Sequence, residues 1–462
     1  MSKKDIQNKF QAEAERVAFD LKHRATIAFN MSKYHAAVAK GRARYISLEN
    51  ARKRAAHIKR YALMNLDDLL VQFESKFTNN GGIVYWACDQ KEAIGYVLDI
   101  FKKNNAKLVV KSKSMTTEEI NFNEIVEKHG IETVETDLGE YIVQLAGEKP
   151  YHIVTPAMHK SKKDVAILFN DKFGMSLDST PEEMTNLARV NLRQKYTTAD
   201  VGVTGGNFIV ADIGAVAVTE NEGNALMSTS FPRIHIAIVG IEKVIPTIKN
   251  LSLMWPHLAL HGTGQAISVY NSLFSGPKKP TDVDGPEQMY VILLDNGRTD
   301  LYAKPIQNQA LTCIRCGSCL NACPIYKNIG GYTYNTTYPG PIGTVITPHF
   351  RGLKEYKHLV SACSMCGSCA EACPVKIPLD DLILNIRSIM VDNKYTPIAE
   401  RIAMKVYART MKKNTRIDAF GGKYKNAFLK FFAQKLWGKQ RELPTFAEKS
   451  FRYQWKNRKT IL

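Results

Sequence analysis

Eight of the nine cysteines fall in two runs of identical spacing, Cys313-x-x-Cys316-x-x-Cys319-x-x-x-Cys323-Pro324 and Cys363-x-x-Cys366-x-x-Cys369-x-x-x-Cys373-Pro374. Each thiol of the second run lies fifty positions beyond its counterpart. Thiolates spaced this way in a tight turn converge on one face of a 4Fe-4S cube, and the fourth, as the chain leaves the loop, reaches across to the other cube. The spacing therefore predicts one cluster on Cys313, Cys316, Cys319 and Cys373, and a second on Cys363, Cys366, Cys369 and Cys323. Gly317, Ser318, Gly367 and Ser368 let the backbone come close enough to point amides at the sulfides, and Pro324 and Pro374 set the exit direction. Zinc is the competing occupant, although it favours two separated Cys-x-x-Cys pairs. A disulfide framework belongs to small secreted domains. The 39 residues between Cys323 and Cys363 contain Gly330-Gly331, Tyr338-Pro339-Gly340-Pro341 and Gly343, which read as an ordered loop.

The rest of the 462-residue chain must hold these loops in place. Its length suits two or three domains. From about residue 80 the pattern alternates strand and helix: Ile83–Cys88, Lys107–Val110 and Ile131–Val134 are short apolar or β-branched runs, with helices starting near Lys91 and Thr117. Such alternation predicts a mostly parallel sheet covered by helices on both faces. Thr116-x-x-Glu119 and Thr180-Pro181-Glu182-Glu183 read as capping boxes, the second opening a helix to about Tyr196. Residues 213–223 should include a central strand, and Ile234–Val239, Ala266–Tyr270 and Tyr290–Leu294 further strands. A helix through Phe10, Ala14, Val17, Leu21 and Ala28 spans 8–40, and another runs through Leu66, Leu69, Leu70 and Phe73. This basic helical lead-in either covers the cluster region or binds a partner. Beyond Cys373, Leu382, Ile383, Ile386 and Met390 form the apolar stripe of a helix placed to pack on the cubes.

The net charge of +19 is concentrated at the ends: residues 1–60 carry +10 and 401–462 carry +14, which leaves the middle at −5. An acidic middle without a nucleic-acid-binding module argues against a nucleic-acid protein. The ends suit docking to a partner protein, an anionic membrane surface, or plain solvation. The tail is also aromatic, from Phe428 to Trp437 and again from Phe451 to Lys456. No apolar stretch approaches the ~20 residues that span a bilayer, and Met1-Ser2-Lys3-Lys4-Asp5 leads into charged sequence. A cytoplasmic protein, possible at the inner membrane face only as a peripheral one, is the expectation, and cluster thiols require a reducing compartment.

In this order the motifs resemble the lactate utilization protein B family, the iron-sulfur component of a three-protein bacterial L-lactate oxidising system. Besides both cysteine runs, the resemblance rests on Lys111-Ser112-Lys113-Ser114-Met115, Glu135–Ile142, Thr219-Glu220-Asn221-Glu222-Gly223-Asn224, Asp295-Asn296-Gly297-Arg298 and Gly340-Pro341-Ile342-Gly343. It covers roughly residues 60–400. It implies an α/β LUD domain over 76–298, similar in fold to ribose-5-phosphate isomerase and CoA transferases. An α-helical ferredoxin-type domain with two 4Fe-4S clusters then spans 299–395, flanked by helical basic segments over 1–75 and 396–462. The implied function is electron transfer within a complex oxidising L-lactate to pyruvate, with a cysteine-rich subunit and a second LUD-domain subunit as partners.

Iron-sulfur cubes move single electrons and do not take hydride, and the chain has no strand-linked Gly-x-Gly-x-x-Gly for a dinucleotide. An electron relay is therefore the leading expectation. The rival is an autonomous LUD-domain enzyme acting on a small carboxylate, with regulatory clusters. For such a ligand the catalytic candidates are Lys113 and Glu220, with Lys111 adding charge and Gly205-Gly206 exposed amides at a sheet end. Cys88, ending an apolar strand, reads as a buried core thiol. His159 and His235 read as structural, and His257 and His261 fall near predicted sheet ends.

Overall fold

The computed structural model describes residues 3–432 and 442–458, with side-chain surroundings from residue 6 and up to 431 in the longer stretch. Trp437 of the expected aromatic tail lies outside the described residues. The chain divides into two units, Met1–Met390 and Val391–Leu462.

The first unit is built on ten strands: β1 (Ile83–Ala87), β2 (Leu108–Lys111), β3 (Glu132–Glu135), β4 (Val201–Thr204), β5 (Phe208–Val210), β6 (Ala215–Glu220), β7 (Ile234–Gly240), β8 (Val244–Ile245), β9 (Tyr270–Phe274) and β10 (Gln288–Leu294). Six of them form a wholly parallel sheet in the order β1-β10-β7-β4-β2-β3. Its middle strands are apolar on both faces, and every residue of β7 is buried, as a parallel sheet covered on both sides requires. On one face, Val97, Ile100 and Phe101 of the helix Gln90–Lys103 and Phe122 and Val126 of Phe122–Lys128 pack on Val203, Ile236, Ile238 and Ile292.

The other face departs from the expectation of helices. It is covered by the helix Leu66–Asn79, through Phe73 and Phe77, together with a second sheet ordered β8-β5-β6-β9. The run expected as a central strand is thus β6, an inner strand of this second sheet, paired antiparallel with β5 and β9. The β5–β6 hairpin leaves β4 directly and folds back, so Ile209, Val216 and Val218 meet Ala237, Val239 and Val291. A third core joins Val110 and Val134 to the helices Leu138–Leu145, Lys162–Phe173 and Pro181–Thr198.

Thr180 and Glu183 form the reciprocal capping box, with Pro181 in the first turn. The Thr116–Glu119 box does not form. Ser114 caps that helix by accepting from Thr117 N, which frees Glu119 for a buried ion pair. β9 begins at Tyr270, where the expected strand ended. The N-terminal helix breaks at Asp20, whose side chain accepts from His23 N and opens Leu21–Arg42.

The stretch between the cysteine runs is helical rather than a loop. Pro324–Thr333 (kinked at the non-helical Gly330), Gly340–Arg351 and Lys357–Ser361 are helices, two of them started by a proline in the first turn. Its glycines serve close packing: a Cβ on Gly343 would sit 1.5 Å from the Tyr338 carbonyl oxygen. The stripe beyond Cys373 is the buried face of the helix Leu379–Asp392.

The second unit contains the helices Ile398–Met411, Asn414–Asp418, Gly422–Phe432 and Phe451–Lys456. Ile398, Ile402, Tyr407, Phe428, Phe431 and Trp455 are exposed on them.

Candidate iron-sulfur centres and an adjoining cleft

The two cysteine runs adopt the same backbone twice. Arg315 and Met365 take left-handed conformations (φ 60° and 57°), as do Gly317 and Gly367 (φ 77° and 76°). Each run then makes one short helix, Ser318–Ala322 or Ser368–Ala372, and ends in an extended cysteine with ψ of 120°. Left-handed residues in succession aim amides at a common concavity, an arrangement that favours anionic groups. The amides of Arg315 and Met365 donate to Cys313 Sγ and Cys363 Sγ at 3.4 and 3.3 Å. Those of Tyr326 and Ile377 donate to Cys323 Sγ and Cys373 Sγ at 3.5 and 3.3 Å.

One small cavity is walled by Cys313, Cys316, Cys319 and Cys373, its other walls being mainly apolar, among them Ile314, Ile342, Ile377 and Leu379. The thiols of Cys316 and Cys319 are pushed up by burial and by neighbouring Cys313 and Cys373. Cys323 sits instead where Cys363 and Cys366 act on it, again after burial as the main cause. Burial, then Cys323 and Cys363, raise Cys369 to about 12, and burial raises Cys373 to about 11. Thiols so placed ionise only against cationic metal. Among the described residues no three His, Cys, Asp or Glu side chains converge tightly enough for one metal ion. Four sulfurs around one cavity fit the corners of a cube. The two sets differ in exposure, since Cys316, Cys319, Cys369 and Cys373 are buried whereas Cys366 is exposed. The N-terminal segment holds this region: Arg52 donates to the carbonyl oxygens of Cys373 and Glu371.

A second cavity, of about 360 Å³, opens at the carboxyl ends of β2, β4 and β7. Parallel sheets place ligands at such ends because the connecting loops diverge there. Lys113 follows β2, Gly205 and Gly206 follow β4, and Lys243 follows β7; the cluster loop closes the wall with Arg315 and Cys316. Asp137, Glu220 and Glu222 also line it. Burial and then Asp137 push the Glu222 carboxyl up to about 7. Burial and the neighbouring Arg315 bring the Lys243 ammonium down to about 8.

Behind the cavity lies a buried ion-pair network. Arg298, 1% exposed, binds both oxygens of Glu119 at 2.9 Å and Glu242 at 2.5 Å. Tyr338 and Asn296 each donate to Glu119 at 2.6 Å. Arg315 reaches Glu242 at 3.4 Å and lies over the Tyr338 ring at 4.7 Å. Burial alone would raise Glu242, but Arg298, Arg315 and Lys243 hold it at about 2. The sequence motifs around Arg298 and Gly340 thus meet at Glu119, which ties the α/β portion to the cysteine region.

Lys113, Glu220, Gly205 and Gly206 all line the cavity. Lys113 Nζ donates to the Val154 carbonyl at 2.6 Å, and Glu220 accepts from the amides of Ala225 and Leu226, capping the helix Asn224–Ser230. Lys111 does not reach the cavity; it is fully buried in ion pairs with Glu135 at 2.8 Å, Glu118 at 3.4 Å and Glu140 at 3.8 Å. Lys111 is the last residue of β2 and stays within the sheet, whereas Lys113 lies two residues further on, in the loop that leaves it. Cys88 is exposed, contrary to the core reading, because it stands one residue past the end of β1. His159 pairs with Glu148 at 2.7 Å, and buried His235 with the Thr204 hydroxyl at 2.7 Å. His257 and His261 lie within the helix Leu251–Thr263, not at sheet ends, with rings stacked at 5.4 Å. Lys243, Arg315 and Glu222 are the cavity residues that spacing did not single out. Arg315 was visible inside the first cysteine run, and Lys243 just past an apolar strand.

Residues 70–294 match the LUD domain model and residues 309–377 the 4Fe-4S dicluster domain model. The chain is 40% identical over 414 residues, 87% of each chain, to the uncharacterized electron transport protein YkgF of Escherichia coli. It is 37% identical over 423 residues to lactate utilization protein B of Bacillus cytotoxicus, 89% of each chain. To lactate utilization protein B of Oceanobacillus iheyensis it is 40% identical over 421 residues, 89% of this chain and 88% of that one. A solved DUF162 family protein from Deinococcus radiodurans is similar over 50% of this chain at 12% identity, with a TM-score of 0.27 that is too low to carry an argument.

Proposed function

The chain belongs to the lactate utilization protein B family, and we propose that it is the electron-carrying subunit of a complex that oxidises L-lactate to pyruvate. The coarser role, in lactate utilization and electron transfer, follows from its relatives and its dicluster domain. The observation that supports the finer reading is that Cys313, Cys316, Cys319 and Cys373 wall one cavity while Cys363 and Cys366 act on Cys323, with Cys366 at the surface. In this proposal Cys313, Cys316, Cys319 and Cys373 hold the inner cluster, and Cys363, Cys366, Cys369 and Cys323 the outer one. Each bound 4Fe-4S cluster accepts and releases one electron at a time. The amides of Arg315, Met365, Tyr326 and Ile377 lower the charge on the ligating sulfurs, and apolar Ile314, Ile342 and Leu379 exclude water from the inner set.

Removing two electrons and two protons from lactate is assigned to a partner subunit, since this chain lacks a dinucleotide fingerprint. The proposed partners are a cysteine-rich subunit and a second LUD-domain subunit, with the exposed edge at Cys366 as the electron exit. Anaerobically purified protein should contain about eight iron atoms and as many acid-labile sulfides. It should reduce a dye with lactate only when the partners are added. Zinc in place of iron, or lactate-driven dye reduction by this chain alone, would sink the reading, the second outcome in favour of an autonomous LUD-domain enzyme.

Among the described residues no helix is long and apolar enough to cross a membrane. The exposed aromatic and basic residues of Val391–Leu462 support a docking role for that unit, and we assign it to a partner protein. Loss of partner co-purification on deleting residues 426–462 is expected. Salt-sensitive pelleting with anionic vesicles, lost on the same deletion, would instead place the protein peripherally on a membrane.

A further inference from the structure

Burying more cations than anions is unfavourable unless another negative group is present. Around the inner wall of the cleft, Lys59, Lys243, Arg298 and Arg315 are buried against Glu119 and Glu242. Lys59 is satisfied by the carbonyl oxygens of Glu242 and Val244, and Arg298 by its two carboxylates. Arg315 keeps two donors, Nε and Nη1, without a partner, but it walls both the cleft and the cysteine cavity, so a cluster would serve as its counter-charge. Lys243 is different. It is 7% exposed, makes no hydrogen bond or ion pair among the described residues, and lines the cleft but not the cysteine cavity. Glu242 and Cys313 act on it electrostatically without bonding to it, and its ammonium lines the cleft, where a further anion can reach it.

We propose that the cleft binds the carboxylate of a small 2-hydroxy or 2-oxo acid, with Lys243 as the principal cation, Lys113 and Arg315 beside it, and Cys316 in the same wall. This deepens the reading that the protein serves lactate oxidation and rests on it for the ligand class. The far side of the cleft is acidic, with Asp137, Glu220 and Glu222. Such a wall repels a phosphate dianion, whereas it accepts hydrogen bonds from the hydroxyl of a 2-hydroxy acid. Glu222 has one oxygen, Oε1, left to meet that hydroxyl, because its Oε2 accepts from the Leu138 amide and both oxygens of Glu220 are occupied in capping Asn224–Ser230. The outcome is a substrate or product held against the wall that carries a ligand of the inner cluster.

The test uses full-length, cluster-loaded protein under anaerobic conditions, titrated calorimetrically with L-lactate, pyruvate and inorganic phosphate. The spin-resonance spectrum of the dithionite-reduced clusters is recorded with and without each. L-Lactate or pyruvate should bind saturably and alter one of the two cluster signals. Lys243→Met should weaken binding about tenfold or more at unchanged iron content, with Lys243→Arg restoring most of it. Lys113→Met gives a second, half-buried position in the same wall should Lys243→Met fail to fold, and should weaken binding in the same sense. Absence of saturable acid binding to iron-replete protein, undiminished binding in the variants, or tighter binding of phosphate would overturn the site. A protein that passes electrons but binds no acid sinks this inference alone. One that binds the acid but takes up no electrons sinks the carrier reading and leaves the site standing.

Discussion

Arg298 shows how much one side chain settles. It is the shared partner of Glu119 and Glu242, all three buried, and its removal would leave Glu119 to the neutral donors Tyr338 and Asn296 and Glu242 to Arg315 at 3.4 Å. Arg298→Met should cost about 3–5 kcal/mol in denaturant unfolding, because breaking one partner of a buried pair strands the other. Arg298→Lys should rescue only part of this, since an ammonium cannot bind both oxygens of Glu119 in parallel. At the cysteines, the crossed assignment predicts that Cys373→Ser removes the signal of the buried cluster and Cys323→Ser that of the exposed one. Spin resonance with iron analysis checks it, and an uncrossed result would reverse the two losses. The residues of the ion-pair network were partly legible, because Arg298 and Gly340 stood in motifs. Their common partner Glu119 was not, since its spacing from Thr116 matched a capping box.

Among the elements, the paired cysteine loops were the most legible, since their chemistry demands one spacing and that spacing one backbone. Gly317 and Gly367 occupy left-handed positions where a side chain is strained, and Gly317 also abuts Val154 and His152. The helix Gly340–Arg351 is not legible in the sequence, because glycine and proline usually mark turns. Here proline opens the helix and glycine admits a neighbour. Gly343→Ala would press a methyl onto the Tyr338 carbonyl, so it should lower iron retention and the melting temperature together. By contrast, Thr180→Ala should cost only about 1 kcal/mol of stability, the ordinary value of an N-cap, with iron content unchanged.

For the whole first unit, the buried histidines set an acid limit. Burial brings His235 to about 3, His257 to about 4 and His261 to about 3, against an ordinary value of 6.5. Below pH 6.5 the unfolded chain takes up protons that the folded chain refuses, so their contribution is fully present above 6.5 and falls as pH drops toward 3. Glu242, held at about 2, adds a loss between about 4.5 and 2. Glu222, raised to about 7, works the other way by taking its proton first in the folded chain, so unfolding free energy should decline below pH 6.5 by as much as the three histidines outweigh it. His235→Gln should make that slope shallower by up to about 1.4 kcal/mol per pH unit. An unchanged slope in the variant would mean that His235 titrates normally.

The order and type of most elements, the parallel sheet and the cysteine chemistry were determined by the sequence itself, because strand and helix periodicity and metal-ligand spacing are local properties. Only the tertiary structure decided that a second sheet, not helices, covers one face, and that Lys111 is buried away from the cleft that Lys113 lines. It alone brought Lys243, Arg315 and Cys316, which lie on separate segments or face different ways, into one wall. Contacts between distant segments depend on how the layers pack, and no period within a short window records that packing.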